Sequence, residues 1–398
     1  MGVKLKPVRD QVMVITGADS GIGLATARLA ARRGARLVLN SRNEAELARI
    51  CAELRREGGQ VEWMAGDVAD PLAMLNLAEV AIRAFGRIDT WINNAGVSAY
   101  GLIEDVPVED AHRIFETNYF GMVNGTLAAL PYLKANGGAL INVGSIVSDT
   151  YMPLQGHYIA SKHAVKGFTD ALRTELMHEK APVVVTLVKP SAIDTPYPEH
   201  AANYMDAEPK HPAPVYDPRV VARAILFCAE HPRRSVTVGG GGRLMAKIGL
   251  RAPGLADVLN QSMVKQQKRS TPGSLPQDTG LWSPPARTGR ERGDQPGHIH
   301  KSSAYTAMAL HPGRTALALA AIGVGFALAS GNGGGLLRRG RELVDGLRGA
   351  DDGLDDPDVD VTIRTAPTYA TAPRPATVGA TGDVRVMDDA AVGDRYVP

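Results

Sequence analysis

Seven short runs of apolar, mostly β-branched residues recur between residues 12 and 238, and longer stretches of helical character lie between them. The runs at 12–15, 37–39, 61–64, 88–92, 140–143, 183–188 and 236–238 have the length of strands. They also have the near-continuous apolar character of strands covered on both faces. Stretches at 22–33, 44–57, 72–85, 115–135, 158–178 and 219–230 are long enough for helices. Breaks fall at Gly34, Gly58 with Gly59, Gly86, Gly137 with Gly138, and Pro182. This alternation predicts an α/β chain. Right-handed crossovers then give a doubly wound, seven-stranded parallel sheet flanked by helices, with ligand sites at the carboxyl ends of the strands.

The pattern stops near Gly242, so residues 1–242 are read as the main domain. Residues 243–265 are read as a helical extension interrupted at Pro253 and Gly254, and 266–300 as a polar linker rich in Pro, Gly, Arg and Gln. An apolar helical segment is expected within 301–337, followed by a largely disordered, irregular tail over 338–398, where 351–360 alone holds six aspartates. The uncharged stretch 315–330 falls short of the roughly 20 apolar residues that a spanning helix needs. Its small residues suit close helix contact, which leaves membrane contact and packing on the enzyme or a partner as alternatives.

Hydrophobic residues make up 44% and charged residues 22%, enough for residues 1–250 to bury a large core. With 44 basic and 42 acidic side chains the net charge is +2, so no whole-molecule field gathers nucleic acid. Cys51 and Cys228 lie in helical stretches without metal-ligand spacing; no metal site is expected, and a reducing cytoplasm suits both thiols. Lys4, Lys6 and Arg9 precede the first strand with no apolar run of signal-peptide length, and Lys6 stands where a myristoylated Gly2 would need Ser or Thr. A cytoplasmic location is expected, with membrane association through 315–330 left open.

Thr16-Gly17-Ala18-Asp19-Ser20-Gly21-Ile22-Gly23 joins the first strand to the first helix. Glycines there let backbone approach a pyrophosphate, and the helix N-terminus offers N–H groups and a positive dipole end. The spacing is GxxxGxG rather than GxGxxG. It resembles the short-chain dehydrogenase/reductase family, classical type, over residues 10 to about 240, which implies a Rossmann-type sheet and an oxidoreductase acting on CH–OH groups with NAD(P). Asn93-Asn94-Ala95-Gly96 after the fourth strand is similar to the family's NNAG segment, and Asp67, followed by Val68, to its adenine-contacting aspartate. The resemblance places Gly17, Asp19, Ser20, Gly21, Ile22, Gly23, Ser41, Arg42, Asp67, Val68, Asn94, Ala95, Gly96, Tyr158, Lys162, Pro190 and Thr195 at the cofactor.

Side chains at the end of the second strand face the adenosine ribose. An acidic residue there bonds a 2'-hydroxyl, whereas arginine accommodates a 2'-phosphate. Ser41 stands where NAD-preferring members keep Asp, and Arg42 follows it, so NADP(H) is expected over NAD(H). Asp19 works against that preference, because NADP-preferring members often carry a basic residue in the loop.

Tyr158-Ile159-Ala160-Ser161-Lys162 puts Tyr158 and Lys162 on one helix face, with Ser145 just beyond the fifth strand. A free phenol has a pKa of about 10, and a nearby ammonium lowers it by favouring the phenolate. Tyr158 would then give its proton to a carbonyl oxygen held by Ser145 as hydride arrives. The resemblance adds Asn118 as the fourth polar residue, ordering a proton relay, and a ribose contact for Lys162. Family members usually show Pro-Gly after the sixth strand; here Ser191 follows Pro190, which puts the loop geometry in question.

Residues 194–217, with five prolines and Tyr197, Tyr204, Met205 and Tyr216, are expected to form the lid that selects a small, partly apolar carbonyl or alcohol substrate. A homodimer or homotetramer through the helical faces at 111–135 and 158–178 is an expectation by analogy. A rival reading makes the domain an NADPH sensor or scaffold with the tail as its interaction segment; a complete Ser-Tyr-Lys-Asn set speaks against that.

Overall fold

The computed structural model describes residues 3–273, 279–285 and 288–311, with Gly313 and Thr315. Seven parallel strands form the centre: β1 (Val12–Thr16), β2 (Arg36–Ser41), β3 (Gln60–Ala65), β4 (Thr90–Asn93), β5 (Gly138–Val143), β6 (Val183–Pro190) and β7 (Ser235–Val238), in the order β7-β6-β5-β4-β1-β2-β3. All strands run parallel, but the order in which successive strands are added reverses between β1 and β4, so their carboxyl ends open a crevice at that switch point.

Alternate residues of each strand serve opposite faces. Met13, Ile15, Leu37 and Leu39 pack under helices α1 (Gly21–Arg32), α2 (Glu44–Arg56) and the later Pro218–Glu230 helix. Val12, Val14 and Val38 meet Met74 and Leu77 of α3 (Pro71–Phe85) and helices from the middle of the chain. Capping fixes where the helices start: Asn43 accepts from Glu46 N at 3.1 Å, and Asp70 and Asp217 precede Pro71 and Pro218, each accepting from the second helical residue.

The stretch read as one helix over 115–135 is α4 (Val108–Phe115), a π-helical turn (Glu116–Phe120) and α5 (Gly121–Asn136). The extra residue of a π turn re-aims side chains locally, and Asn118 sits in it. Helix α6 (Gly156–His178) then lays Tyr158 and Lys162 along the mouth of β5. Ser191 introduces no strain: its backbone N–H pairs with Val238 O at 2.9 Å, and only Leu154 and Lys180 have positive φ among the described non-glycine residues.

Beyond the sheet come α7 (Tyr197–His200), α8 (Pro218–Glu230), α9 (Gly240–Arg251) and α10 (Pro253–Gln266). Residues 266–300 then differ from the linker that their composition suggested. Lys268–Pro272 pairs antiparallel with Ala207–Pro209, and Ile299–His300 pairs parallel with Val215–Tyr216. Gln267 and Leu281 are fully buried, and Glu291 is ion-paired to Arg28 and Arg219 at 3.0 and 2.8 Å. Part of the segment's polarity is thus spent on pairing with the domain, while residues such as Ser270, Ser283 and His298 face water. Helix α11 (Ala304–Leu310) ends with Leu310 in the core beside β7. The 315–330 stretch beyond Thr315 and the 338–398 tail lie outside the described residues. Among the described residues no helix is long and apolar enough to cross a membrane.

Candidate active site

The crevice is a long cleft formed by two cavities that share Ile22, Asn94, Gly96, Thr195 and Tyr197. Its floor is the turn after β1. Gly17 adopts φ +62°, and a Cβ there would come within 2.8 Å of Ala95 Cα, so only glycine fits between the turn and the β4 loop. Asn94 clamps that turn, its Nδ2 donating to the Thr16 and Gly17 carbonyls at 3.0 Å each, while Thr16 Oγ1 accepts from Asn94 N at 3.0 Å. Asn93 is structural: it accepts from Trp91 Nε1 at 2.8 Å and donates to Asn142 Oδ1 at 2.9 Å, joining β4 to β5 inside the core.

One end of the cleft gathers hydroxyl groups over a buried amine. Ser145 Oγ accepts from Val147 N at 3.3 Å, capping the Ile146–Ser148 turn. It lines the same cavity as Tyr158, whose ring meets that of Tyr197 edge-on at 5.4 Å between centroids. Lys162 is buried with Nζ 5.7 Å from the Tyr158 ring centroid, donating to Val143 O at 3.0 Å. Asn118 is locked by Val97 in both directions, its Oδ1 accepting at 2.8 Å and its Nδ2 donating at 2.9 Å, with Ser161 Oγ also at 3.0 Å from Nδ2. Pro190 lines the same cavity, whose outer wall includes Met152, His211, Pro212 and Met245.

The electrostatics here depart from the simplest expectation. Burial raises the Tyr158 pKa, opposed by the neighbouring polar groups of Ser145 and Tyr197. Burial also pulls the Lys162 pKa down to about 8, so the amine beside Tyr158 is itself easily neutralised.

The other end of the cleft is charged. Ser41 closes β2, and Arg42 beside it donates to the carbonyls of Leu281, at 3.1 Å, and Gly280. Burial lowers the Arg42 pKa against the pull of Asp67. Asp19 is buried nearby; burial raises its carboxyl, while its own backbone, the Ser41 hydroxyl and Arg42 work the other way. Asp67 Oδ1 accepts from Ala69 N at 3.0 Å, and its other oxygen is ion-paired to Arg113. Val68 is buried beside Gly121.

Sequence reasoning missed Arg113. It is a buried cation of α4 that touches Asp67, donates to Leu281 O at 3.1 Å and lies 5.7 Å from the Trp282 ring. It also missed Gly280, Pro284, Pro285 and Thr288, which line this end of the cleft. The extension reaches the glycine turn as well: Gly21 N donates to Arg290 O at 2.9 Å, and Gly289 N to Asp19 O at 2.8 Å. One N–H group at the start of α1 is thereby already taken.

The short chain dehydrogenase family profile matches residues 11–204. An uncharacterized oxidoreductase of Bacillus subtilis, YxnA, is 43% identical over 315 residues, spanning 78% of this chain and 88% of that protein. The chain belongs to the short-chain dehydrogenase/reductase family. It is an oxidoreductase of that family, with a Rossmann-type sheet that takes a nicotinamide dinucleotide. The match to YxnA takes in 78% of 398 residues, so it cannot end before about residue 310 and includes the returning extension. Among solved structures, an alcohol dehydrogenase from Thermococcus sibiricus complexed with 5-hydroxy-NADP is 27% identical with TM-score 0.50, covering 57% of this chain and 95% of that one. A Burkholderia phymatum short-chain dehydrogenase/reductase in complex with NAD is 25% identical with TM-score 0.53, covering 67% and 98%.

Proposed function

We propose that the chain transfers hydride between NADP(H) and a small carbonyl or alcohol, with Tyr158 as general acid and base assisted by Ser145, Lys162 and Asn118. The observation that carries this reading is the convergence of Ser145 and Tyr158 on one cavity, with the buried amine of Lys162 5.7 Å from the Tyr158 ring centroid.

The residues present suit a dinucleotide. A Cβ on Gly96 would sit 3.3 Å from Asn118 Oδ1 and 3.6 Å from Lys162 Nζ, so its absence leaves a cradle between the two. Lys162 has three donors and spends one on Val143 O, which leaves capacity for ribose hydroxyls. The glycine turn with Ser20, Ile22 and Gly23 would hold the pyrophosphate, Asp67 and Val68 the adenine, and Pro190 and Thr195 the nicotinamide side. When bound, the dinucleotide supplies the hydride.

The chain's own residues do the rest. Ser145 holds the substrate oxygen and Tyr158 Oη delivers a proton to it in reduction, or withdraws one in oxidation. Lys162, when charged, favours the phenolate left on Tyr158. Asn118, fixed by Val97, keeps the Val97 and Ser161 groups in place behind Lys162. The partly apolar wall of Met152, Pro212 and Met245 excludes water from the substrate.

The NADP preference rests on Ser41, which places no carboxylate at the end of β2, and on Arg42 beside it. Asp19 favours a second reading, NAD(H). The apolar side chains exposed on the faces expected to pair subunits, Phe120, Leu127 and Met177, support a homo-oligomer. A screen of aldehydes, ketones and alcohols by NADPH absorbance, run with wild type and Tyr158→Phe, tests the central assignment. Turnover by wild type alone is the expected result, and equal turnover by both proteins defeats it.

A further inference from the structure

We propose that Gln295 of the extension is a positioning residue for the substrate: its side-chain amide clamps the backbone of His211 and so holds residues 211–214 as a preset wall of the substrate cavity, which selects ligands by size. The inference rests on the reading of this cavity as the place where a carbonyl or alcohol binds.

His211, Pro212, Ala213 and Pro214 all line that cavity, yet the stretch is poorly equipped to hold itself. Proline has no N–H, so these four residues carry two backbone donors, those of His211 and Ala213. Gln295 meets the first from 84 residues away in the chain. Its Oε1 accepts from His211 N at 3.0 Å and its Nε2 donates to His211 O at 3.1 Å, so one planar amide satisfies both main-chain groups of His211. Turning that amide over would set donor against donor, so the pair of bonds fixes its orientation.

The extension secures the flanks as well. Before the proline stretch, Lys268–Pro272 pairs with Ala207–Pro209, Lys210 N donates to Gln267 O at 2.9 Å, and Arg269 Nε donates to Pro209 O at 3.2 Å. After it, Ile299–His300 pairs with Val215–Tyr216. Arg269 joins the two arms of the extension, donating to Asp294 O at 3.0 Å beside Gln295. Gln267 carries the bracing to a second wall: its Nε2 donates to Pro153 O at 3.0 Å, and its Oε1 accepts at 2.7 Å from Gln155, which also lines the cavity. Pro214 is packed closely on α9, where a Cβ on Gly241 would come within 2.7 Å of its Cγ.

The segment expected to act as a lid is thereby tied down by bonds that do not involve substrate. A lid that closes on each substrate adapts to it, whereas a preset wall admits what fits and loses less entropy on binding. The position of His211 also reaches the reaction centre: its ring stacks on Tyr197 at 5.7 Å with 16° between the planes, and Tyr197 meets Tyr158 edge-on at 5.4 Å. Among the described residues that line the cavity, Lys162 is the one lysine, arginine, aspartate or glutamate, and Met152, Pro212, Pro214 and Met245 give it an apolar surface. Neutral ketones are therefore the fitting probes.

The test compares the full chain with its Gln295→Met variant, which keeps the length of the side chain and loses both bonds. Gln295 is half-buried and outside the core, so the substitution leaves the sheet and its packing alone. Hydrogen exchange read by mass spectrometry should show the amides of 207–216 exchanging about tenfold faster in the variant, with peptides from β1 and α1 unchanged. Calorimetry on the NADP+ complex, which cannot reduce a ketone, gives dissociation constants for methyl ketones from acetone to methyl heptyl ketone. Their spread should shrink about threefold in Gln295→Met, while the Kd of NADP+ stays within about twofold because Gln295 lines neither cavity. Unchanged exchange overturns the clamp. Faster exchange with an equal spread, or a wild type that binds none of the ketones, overturns the selection by size. Turnover of the same ketones with NADPH separates the two claims: size-selective binding without turnover defeats the proposed function and leaves the clamp standing.

Discussion

The two ends of the cleft are built from different chemistry. At the tyrosine end, hydroxyl groups and one readily neutralised amine are held by core elements that all precede residue 200. At the arginine end, Asp19, Arg42, Asp67 and Arg113 form a half-buried set of charges beside Gly280, Leu281, Pro284, Pro285 and Thr288 of the extension. The contrast follows from what each end must do. Proton transfer needs groups that can change charge: burial keeps the Tyr158 phenol neutral until its proton is taken, and brings the Lys162 amine down to about 8. Holding a charged ligand needs fixed charges, and these tolerate burial only when paired.

Tyr158→Phe tests the tyrosine end most severely. Turnover should fall about a thousandfold, within the usual range for loss of a general acid, while fluorescence titration should show NADPH binding within about twofold of wild type. An equal loss of binding would mean that the two ends are not separable.

Leu281→Ala probes the other end. Leu281 is fully buried among Ala99, Val106, Ile114 and Ala202, and truncating such a side chain costs about 3 kcal/mol. Limited proteolysis should cut the 266–300 segment faster and dinucleotide affinity should fall, with the pH profile of kcat/KM unmoved. A shifted profile would show that the extension acts on the chemistry as well.

Lys162→Met reads the cost of the buried amine. The folded chain holds the Lys162 proton only up to about 8, against 10.5 for the ordinary group, so the unfolded chain binds more protons between those values and stability rises with pH there. Below pH 8 the penalty is present in full. Removing the amine should therefore stabilise the protein at pH 7 by on the order of 2 kcal/mol, after allowing for the lost bond to Val143 O. Activity should collapse at the same time. Urea titrations at pH 7 and pH 10 should show that gain shrinking as pH rises, and a gain equal at both would contradict the cause assigned to the shift.

The same contrast explains what the sequence disclosed. The seven strands, the glycine turn and the Tyr158-Lys162 spacing are local patterns, readable because strand and helix periods and short loops carry them. The Asn94 clamp and the Ser145 turn lie within a few residues of their motifs. Arg113 was not readable, since on an amphipathic helix it looks like any solvated arginine until Asp67 and Trp282 are brought to it. Residues 266–300 misled for a related reason. A polar, Pro-rich stretch signals a linker only if its charges find no distant partners, and Glu291, Arg290 and Arg292 reach Arg28, Arg219, Glu199 and Asp217, each more than 70 residues away, with Asp294 a nearer second partner of Arg290.

Arg42→Ala makes the finest cut, because Arg42 has two candidate jobs. As a ligand for a 2'-phosphate it would discriminate NADPH from NADH by about tenfold, the weight of one charge-assisted contact at a partly solvated site. As a tether it holds the Gly280 and Leu281 carbonyls, and its loss would loosen the extension without telling the two dinucleotides apart. Dissociation constants for both cofactors, measured in wild type and variant, distinguish these jobs. A selective loss of NADPH affinity with unchanged proteolysis of 266–300 assigns Arg42 to the phosphate. Parallel losses for NADPH and NADH, with faster proteolysis, assign it to the extension and leave Asp19 to set a preference for NAD(H).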